Sequence, residues 1–221
     1  MSGETIEKVL ERYVPSAAVK TCTSWIIRYN IHVRITRSRS SKFGDYRPLE
    51  GRSGHQITVN HDLNPYSFLI TFVHEVAHLV AETKYRRISP HGKEWKSEFS
   101  QLLGYFLQQN IFPDDLVGAL TAYVKNPAAS SCSDHDLLRA LRKYDKKEQL
   151  NVLHLEDLPT NALFRLYSSR SGLIFRKGER MRTRFHCFEL TTKREYYVNQ
   201  LTEVTVYEVP QDGLQLKVSG V

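Results

Sequence analysis

The sequence predicts an α+β chain: a helix-rich N-terminal domain built around one apolar helix, followed by a small antiparallel β domain. Three observations carry this. A run from Asn64-Pro65 onward is apolar around most of a helix circumference and contains no internal Gly or Pro. Amphipathic helical runs continue after it as far as Tyr144. From Val152 on, short alternating segments separated by Ser-Gly, Lys-Gly and charged turns take over. The domains are therefore expected at residues 1–150 and 151–221.

The chain opens with a predicted helix at Ile6–Tyr13 and a second after Pro15, with Val19, Cys22, Trp25 and Ile26 on one side. Ile31-His32-Val33-Arg34-Ile35 alternates as a half-buried strand does, and Gln56–Asn60 reads as another. Thr36–Gly54 between them is rich in Arg, Ser and Gly and is expected to be a long exposed loop or a ragged hairpin. Asn64-Pro65 is a helix start: Asn accepts free backbone N–H groups, and Pro at the first helical position loses no hydrogen bond. Phe68, Leu69, Phe72, Val73, Val76, Ala77, Leu79 and Val80 then place this helix in the core. Tyr85–Pro90 breaks it, and His91-Gly92-Lys93-Glu94-Trp95 leads into a run with Phe99, Leu102, Leu103 and Phe106 at helical spacing.

Pro113-Asp114-Asp115 opens a further helix that stops at Asn126-Pro127. After the polar connection Ser130–Ser133, Ser133 and Asp136 resemble a capping box for a helix through Tyr144. Lys143–Glu148 is a charge cluster suited to a linker. The β domain is expected to use strands at Ala162–Tyr167, Leu173–Arg176, Thr183–Glu189, Glu195–Val198 and Glu203–Val209.

Chemistry concentrates in His74-Glu75-Val76-Ala77-His78, on the apolar helix. Two imidazoles four residues apart lie about 5–6 Å from each other on one helix face, near enough to share an ion. Burying two His and a Glu in an apolar helix is costly unless a cation pairs with them. Catalytic zinc takes three protein ligands and keeps a position for water, which a Glu can deprotonate. For the third ligand the residues leave two candidates: His91, ahead of the next helix and read as lying in its first turn, and Glu82, one turn beyond His78. Glu82 could instead be an acceptor for a ligand His. The remaining histidines have no partner at ligand spacing.

Gly44-Asp45-Tyr46-Arg47, Ile57-Thr58-Val59-Asn60 with Leu63-Asn64, His74–His78, His91-Gly92 and Trp95, in that order, resemble the SprT-like domain, shared by bacterial SprT proteins and the eukaryotic protease Spartan. The resemblance spans about residues 15–110. It implies a zincin-like metalloprotease core, with His74, His78 and His91 as zinc ligands and Glu75 as general base, and so favours His91 over Glu82. It also implies proteolysis of DNA-associated or DNA-crosslinked proteins, with nucleic acid as an activator. In zincins an edge strand beside the cleft can pair with an extended substrate, so one of the two strands, Ile31–Ile35 or Gln56–Asn60, is expected to form the cleft wall; which of them is open.

Many SprT-like proteins carry a C-terminal zinc ribbon with paired cysteines. Here Cys22, Cys132 and Cys187 are dispersed, with no CxxC pair, so no second structural zinc is expected. The hairpin-like Phe185–Phe188 and Thr191–Tyr197 segment is expected to occupy the ribbon's place without its metal.

Charge points to a partner. Between Ala162 and Arg194 nine Lys or Arg stand against two acids, a surplus equal to the whole chain's +7. Arg176, Lys177, Arg180, Arg182 and Arg184 among Phe175, Phe185 and Tyr196 resemble the mixture of phosphate contacts and stacking rings that binds nucleic acid, single strands included. Arg34, Arg37, Arg39, Lys42 and Arg47, opposed by Asp45, form a second basic stretch. No stretch is apolar over the roughly 18 residues of a membrane span, and Met1–Leu10 is polar and acidic, so a bacterial-type cytoplasmic location with reduced thiols is expected. The competing reading is a non-catalytic, nucleic-acid-associated regulatory module with a structural zinc. Glu75 argues against it, since a structural site has no use for a base.

Overall fold

The computed structural model describes residues 5–39, 42–49, 51, 53–85, 88–127, 134–145, 153–167, 171–182 and 184–208. The chain is mixed helix and sheet and divides into two compact units, residues 1–150 and 151–221.

In unit one, α1 (Ile6–Leu10) and a 3-10 turn at Ser16–Ala18 lead into α2 (Val19–Arg28). Three strands follow: β1 (Ile31–Thr36), β2 (Gly44–Pro48) and β3 (His55–Asn60). They form one sheet in the order β1-β3-β2, with β1 parallel and β2 antiparallel to β3. The expected loop between Thr36 and Gly54 thus contains an edge strand. Gly, Asp and Pro are poor strand formers, and β2 forms because its backbone pairs with β3 and its Gly44/Tyr46 face packs on the next helix.

That helix is α3 (Pro65–Lys84), whose Phe68, Leu69, Ile70, Phe72, Val73, Val76 and Ala77 are all fully buried. At about 1.5–3 kcal/mol for each large apolar side chain buried, this face dominates the core. Asn64 Oδ1 accepts the N–H groups of Tyr66 (3.1 Å) and Ser67 (2.9 Å), while its Nδ2 donates to Leu141 O (3.0 Å) and Asp145 Oδ1 (2.7 Å). One side chain therefore caps α3 and ties it to Leu141 and Asp145, far along the chain. Against α3 pack Trp95, Phe99, Leu103 and Phe106 of α4 (Lys93–Gln108); Leu116 and Leu120 of α5 (Asp114–Lys125) and Leu137 and Leu141 of α6 (His135–Arg142) complete the core. Ser130–Ser133 and Lys146–Glu148 lie outside the described residues; the cap of α6 is Asp134, whose carboxylate accepts from Leu137 N at 2.9 Å.

Unit two is a six-stranded antiparallel sheet in the order β4-β9-β5-β6-β7-β8. Its strands are β4 (Leu153–His154), β5 (Leu163–Leu166), β6 (Phe175–Met181), β7 (Arg184–Glu189), β8 (Glu195–Asn199) and β9 (Glu203–Val206). The core is Leu155, Leu158, Phe164, Phe175, Phe185, Cys187 and Val204. Sequence alternation missed β4 and ended β6 at Arg176, because Lys177-Gly178 reads as a turn. The strand instead continues through an irregularity between Lys177 and Arg180. A Cβ on Gly178 would lie 2.3 Å from His186 O, so only glycine lets β6 and β7 approach here. Among the described residues, no helix is long and apolar enough to cross a membrane.

Candidate metal centre

His74 and His78 sit one turn apart on the stretch of α3 that runs past the start of α4, and His91 arrives from the connection between the helices. His91 is not in the first turn of α4, as the sequence suggested: it lies two residues ahead of it, with Gly92 as the N-cap. Its φ of 57° is in the left-handed region, where a side chain costs of order 1–3 kcal/mol. A tight turn, Gly92 N–H to Ser89 O at 2.9 Å, holds that conformation and turns the imidazole toward α3.

The three imidazoles meet through their Nε2 atoms: His91 Nε2 is 3.2 Å from that of His74 and 3.0 Å from that of His78. All three offer a nitrogen within 4.8 Å of one another, a group that could hold a metal ion. Trp95 forms the floor, its ring centroid 4.6, 5.3 and 4.8 Å from those of His74, His78 and His91. It is fully buried and stacks on Phe99. Sequence reasoning took Trp95 as part of the apolar face of α4, and no local signal separates that role from lining a site.

Burial pushes the His74 imidazole down to about 3, helped by His78 and His91, and the His78 imidazole down to about 4, helped by His91. His91 is lowered by burial as well. The cluster is thus neutral near pH 7, the form in which imidazole donates a lone pair to a metal. His74 Nδ1 is buried without a hydrogen-bond partner among the described residues, leaving Nε2 as the nitrogen with neighbours. Three neutral nitrogens this close could hold a metal ion between them, and nitrogen donors suit borderline divalent cations as a class.

Glu75, one residue after His74, is 6 % exposed and packs against β2. Burial and Asp45 push its carboxyl up to about 8; Lys42, Arg39 and a hydrogen bond from the Tyr46 backbone act the other way. A cation held by the imidazoles would add to the second set and favour the carboxylate. Among the described residues the edge strand beside Glu75 is thus β2, which lies in the segment expected to be a loop and is neither of the two strands expected to wall the cleft.

Glu82 stands apart from the imidazole group. It is exposed, and its Oε2 accepts the Tyr46 hydroxyl at 2.9 Å rather than a ligand His. Tyr46 also meets His55 Nδ1 at 3.2 Å and lies parallel to His78, 6.4 Å between centroids. Burial and Glu82 hold its hydroxyl well above the usual phenol range.

In unit two the basic residues divide. Arg176, Arg180, Arg182 and Arg184 are exposed. Lys177 corrects the sequence reading: it is 3 % exposed, its ammonium donates to Glu156 O and Leu158 O, and it sits over the Phe185 ring. Those bonds leave it no route to a phosphate. Phe175 and Phe185 are likewise core residues and not stacking rings. The exposed face carries different rings: Phe188 under the Arg176 guanidinium at 5.3 Å, and His186 stacked on Tyr197 at 5.1 Å.

No protein-family model and no solved structure matches the chain. A stretch of 42 residues is 45% identical to Protein SprT of Vibrio parahaemolyticus, covering 19% of this chain and 26% of that protein. The match thus spans about a quarter of that relative and supports a SprT-like relationship for this chain.

Proposed function

We propose that unit one is a SprT-like zinc metallopeptidase that cleaves proteins associated with or crosslinked to DNA. The observation that carries the reading is the convergence of three imidazole nitrogens beside a buried carboxylate, Glu75, on the same helix. His74, His78 and His91 would hold the ion. Tetrahedral bonds of about 2.0–2.1 Å put ligand nitrogens roughly 3.3 Å apart, close to the 3.0 and 3.2 Å between these imidazoles. When bound, zinc supplies Lewis acidity toward a water molecule and a peptide carbonyl.

The chain's own residues do the rest. Glu75 accepts the proton of the attacking water and returns it to the departing amine. The Tyr46 N–H and the Gly44 backbone hold its carboxylate in place. Among the described residues β2 is an edge of its sheet. The main-chain groups of that edge other than the Tyr46 N–H are the ones an extended substrate would pair with, as in edge-strand peptide recognition. Trp95 and Phe99 keep water from the rear of the imidazoles. A structural zinc site is normally closed by four protein ligands, whereas among the described residues the group here offers three, which weighs against the non-catalytic module.

Nucleic acid is the proposed partner of unit two, through the exposed Arg176, Arg180, Arg182 and Arg184, with Phe188 under Arg176 and the His186–Tyr197 stack on the neighbouring strands. The test is digestion of casein and of a DNA-tethered protein, with and without single-stranded DNA, before and after chelation and zinc re-addition. Activity lost on chelation and restored by zinc supports the peptidase. Charge reversal at Arg180, Arg182 and Arg184 should spare casein and slow the tethered substrate. Full hydrolysis in chelator contradicts the metal reading, and equal effects on both substrates contradict the role given to unit two.

A further inference from the structure

The face of the unit-one sheet turned away from α3 is polar at every paired position. Along β3, Ile57 and Val59 enter the core while Gln56, Thr58 and Asn60 point the other way. Register sets His32 and Arg47 beside Gln56, Arg34 and Asp45 beside Thr58, and Thr36 beside Asn60. Arg39 lies across this face: its Nε donates to Asn60 Oδ1 at 2.9 Å and its Nη2 to Thr58 Oγ1 at 3.2 Å. Lys42 and Arg47 flank Asp45 at 2.7 and 3.5 Å. Four cations, Arg34, Arg39, Lys42 and Arg47, therefore share the face with one carboxylate, Asp45, a surplus of three.

We propose that this face docks the sugar-phosphate backbone of duplex nucleic acid. Three of the four cations are arginines, whose planar fork matches phosphate oxygens, and Arg39 is already ordered by its two bonds to the sheet. Among the described residues its one apolar side chain is the half-buried Phe43, beside Asn60, too little for the apolar anchor that a membrane-surface site uses. Phe43 and His32 are its rings among the described residues, and the four cations outnumber them, which suits phosphates more than unstacked bases. A duplex, with one charge per roughly 1.7 Å of axis, is the polyanion that rewards this arrangement without base contacts. β2 then has Asp45 and Arg47 toward the duplex and Gly44 and Tyr46 toward Glu75. The surface is distinct from the arginines of unit two and does not depend on the peptidase reading.

The test is anisotropy of a labelled 20-base-pair DNA duplex with the full chain across 50–200 mM salt. Relative to wild type, R34Q/R47Q should bind roughly ten-fold more weakly at the lowest salt, and the slope of log affinity against log salt should flatten by about two, one for each phosphate contact removed. R34K/R47K keeps the charges and should retain most of the slope, which separates lost contacts from lost folding. An unchanged affinity and slope in R34Q/R47Q overturns the proposal. So does complete loss of duplex binding in R180Q/R182Q/R184Q, or wild-type protein that sediments with vesicles containing phosphatidylserine while ignoring the duplex. No readout involves hydrolysis, so a failure here leaves the peptidase reading to its own test.

Discussion

The backbone of Gly44 and the carboxylate of Glu75 occupy adjoining space: a Cβ at position 44 would lie 2.6 Å from Glu75 Oε1 and 2.9 Å from its Cγ. It would also lie 2.7 Å from Thr71 Cγ2, so no side chain larger than hydrogen fits unless Glu75 and Thr71 both move. Gly44→Ala should therefore leave the imidazole cluster and its metal in place while displacing the base. A shift of about 1 Å in a reacting group can cost on the order of 10²-fold in rate. Zinc content at wild-type level with kcat/KM down by about that factor is the expected pair of measurements; unchanged hydrolysis would place the base elsewhere.

Metal content should separate His91 from Glu82. Each imidazole provides one of three protein bonds, so His74→Ala, His78→Ala and His91→Ala should each lose most of the zinc on dialysis. Glu82→Gln should retain it, because that carboxylate is engaged by the Tyr46 hydroxyl. Elemental analysis of the dialysed proteins decides; full zinc in His91→Ala would remove that residue from the ligand set.

Acid should loosen unit two through Glu189. The Thr192 hydroxyl, with the backbone N–H groups of Thr191 and Thr192, pulls this buried carboxyl from 4.5 down to about 2. A folded-state value below the unfolded one means that the contribution is fully present above about pH 4.5 and is lost as pH falls toward 2. Hydrogen exchange in peptides covering β7 and β8 should accelerate across that window in the wild type, and Glu189→Gln should exchange fast already at pH 6. Identical exchange profiles for the two proteins would contradict the assignment.

How far the sequence reveals these features differs by element. Helix α3 is legible because its apolar circumference and the Asn64-Pro65 start are local signals, and the spacing of His74 and His78 follows from the helix alone. The second task of Asn64, holding Leu141 O and Asp145, is not legible, since its partners are distant in sequence. β2 is hidden by Gly44, Asp45 and Pro48, residues that disfavour strands in isolation and are overridden by pairing with β3. The geometry of His91 rests on a left-handed φ, which no spacing rule supplies for a residue other than glycine. Lys177 reads as a surface cation because Lys-Gly reads as a turn. Within the continuing strand it points inward, where two backbone carbonyls accept hydrogen bonds from its ammonium.

The most direct test of the account is Glu75→Gln, assayed together for bound zinc, thermal unfolding and hydrolysis of an unfolded protein. The amide keeps the shape of the side chain but cannot accept a proton from water. General acid–base groups contribute about 10²–10⁴-fold in rate. The account predicts wild-type zinc content and folding, with hydrolysis reduced by a factor in that range. Near-wild-type hydrolysis by a zinc-loaded, folded Glu75→Gln protein would contradict it.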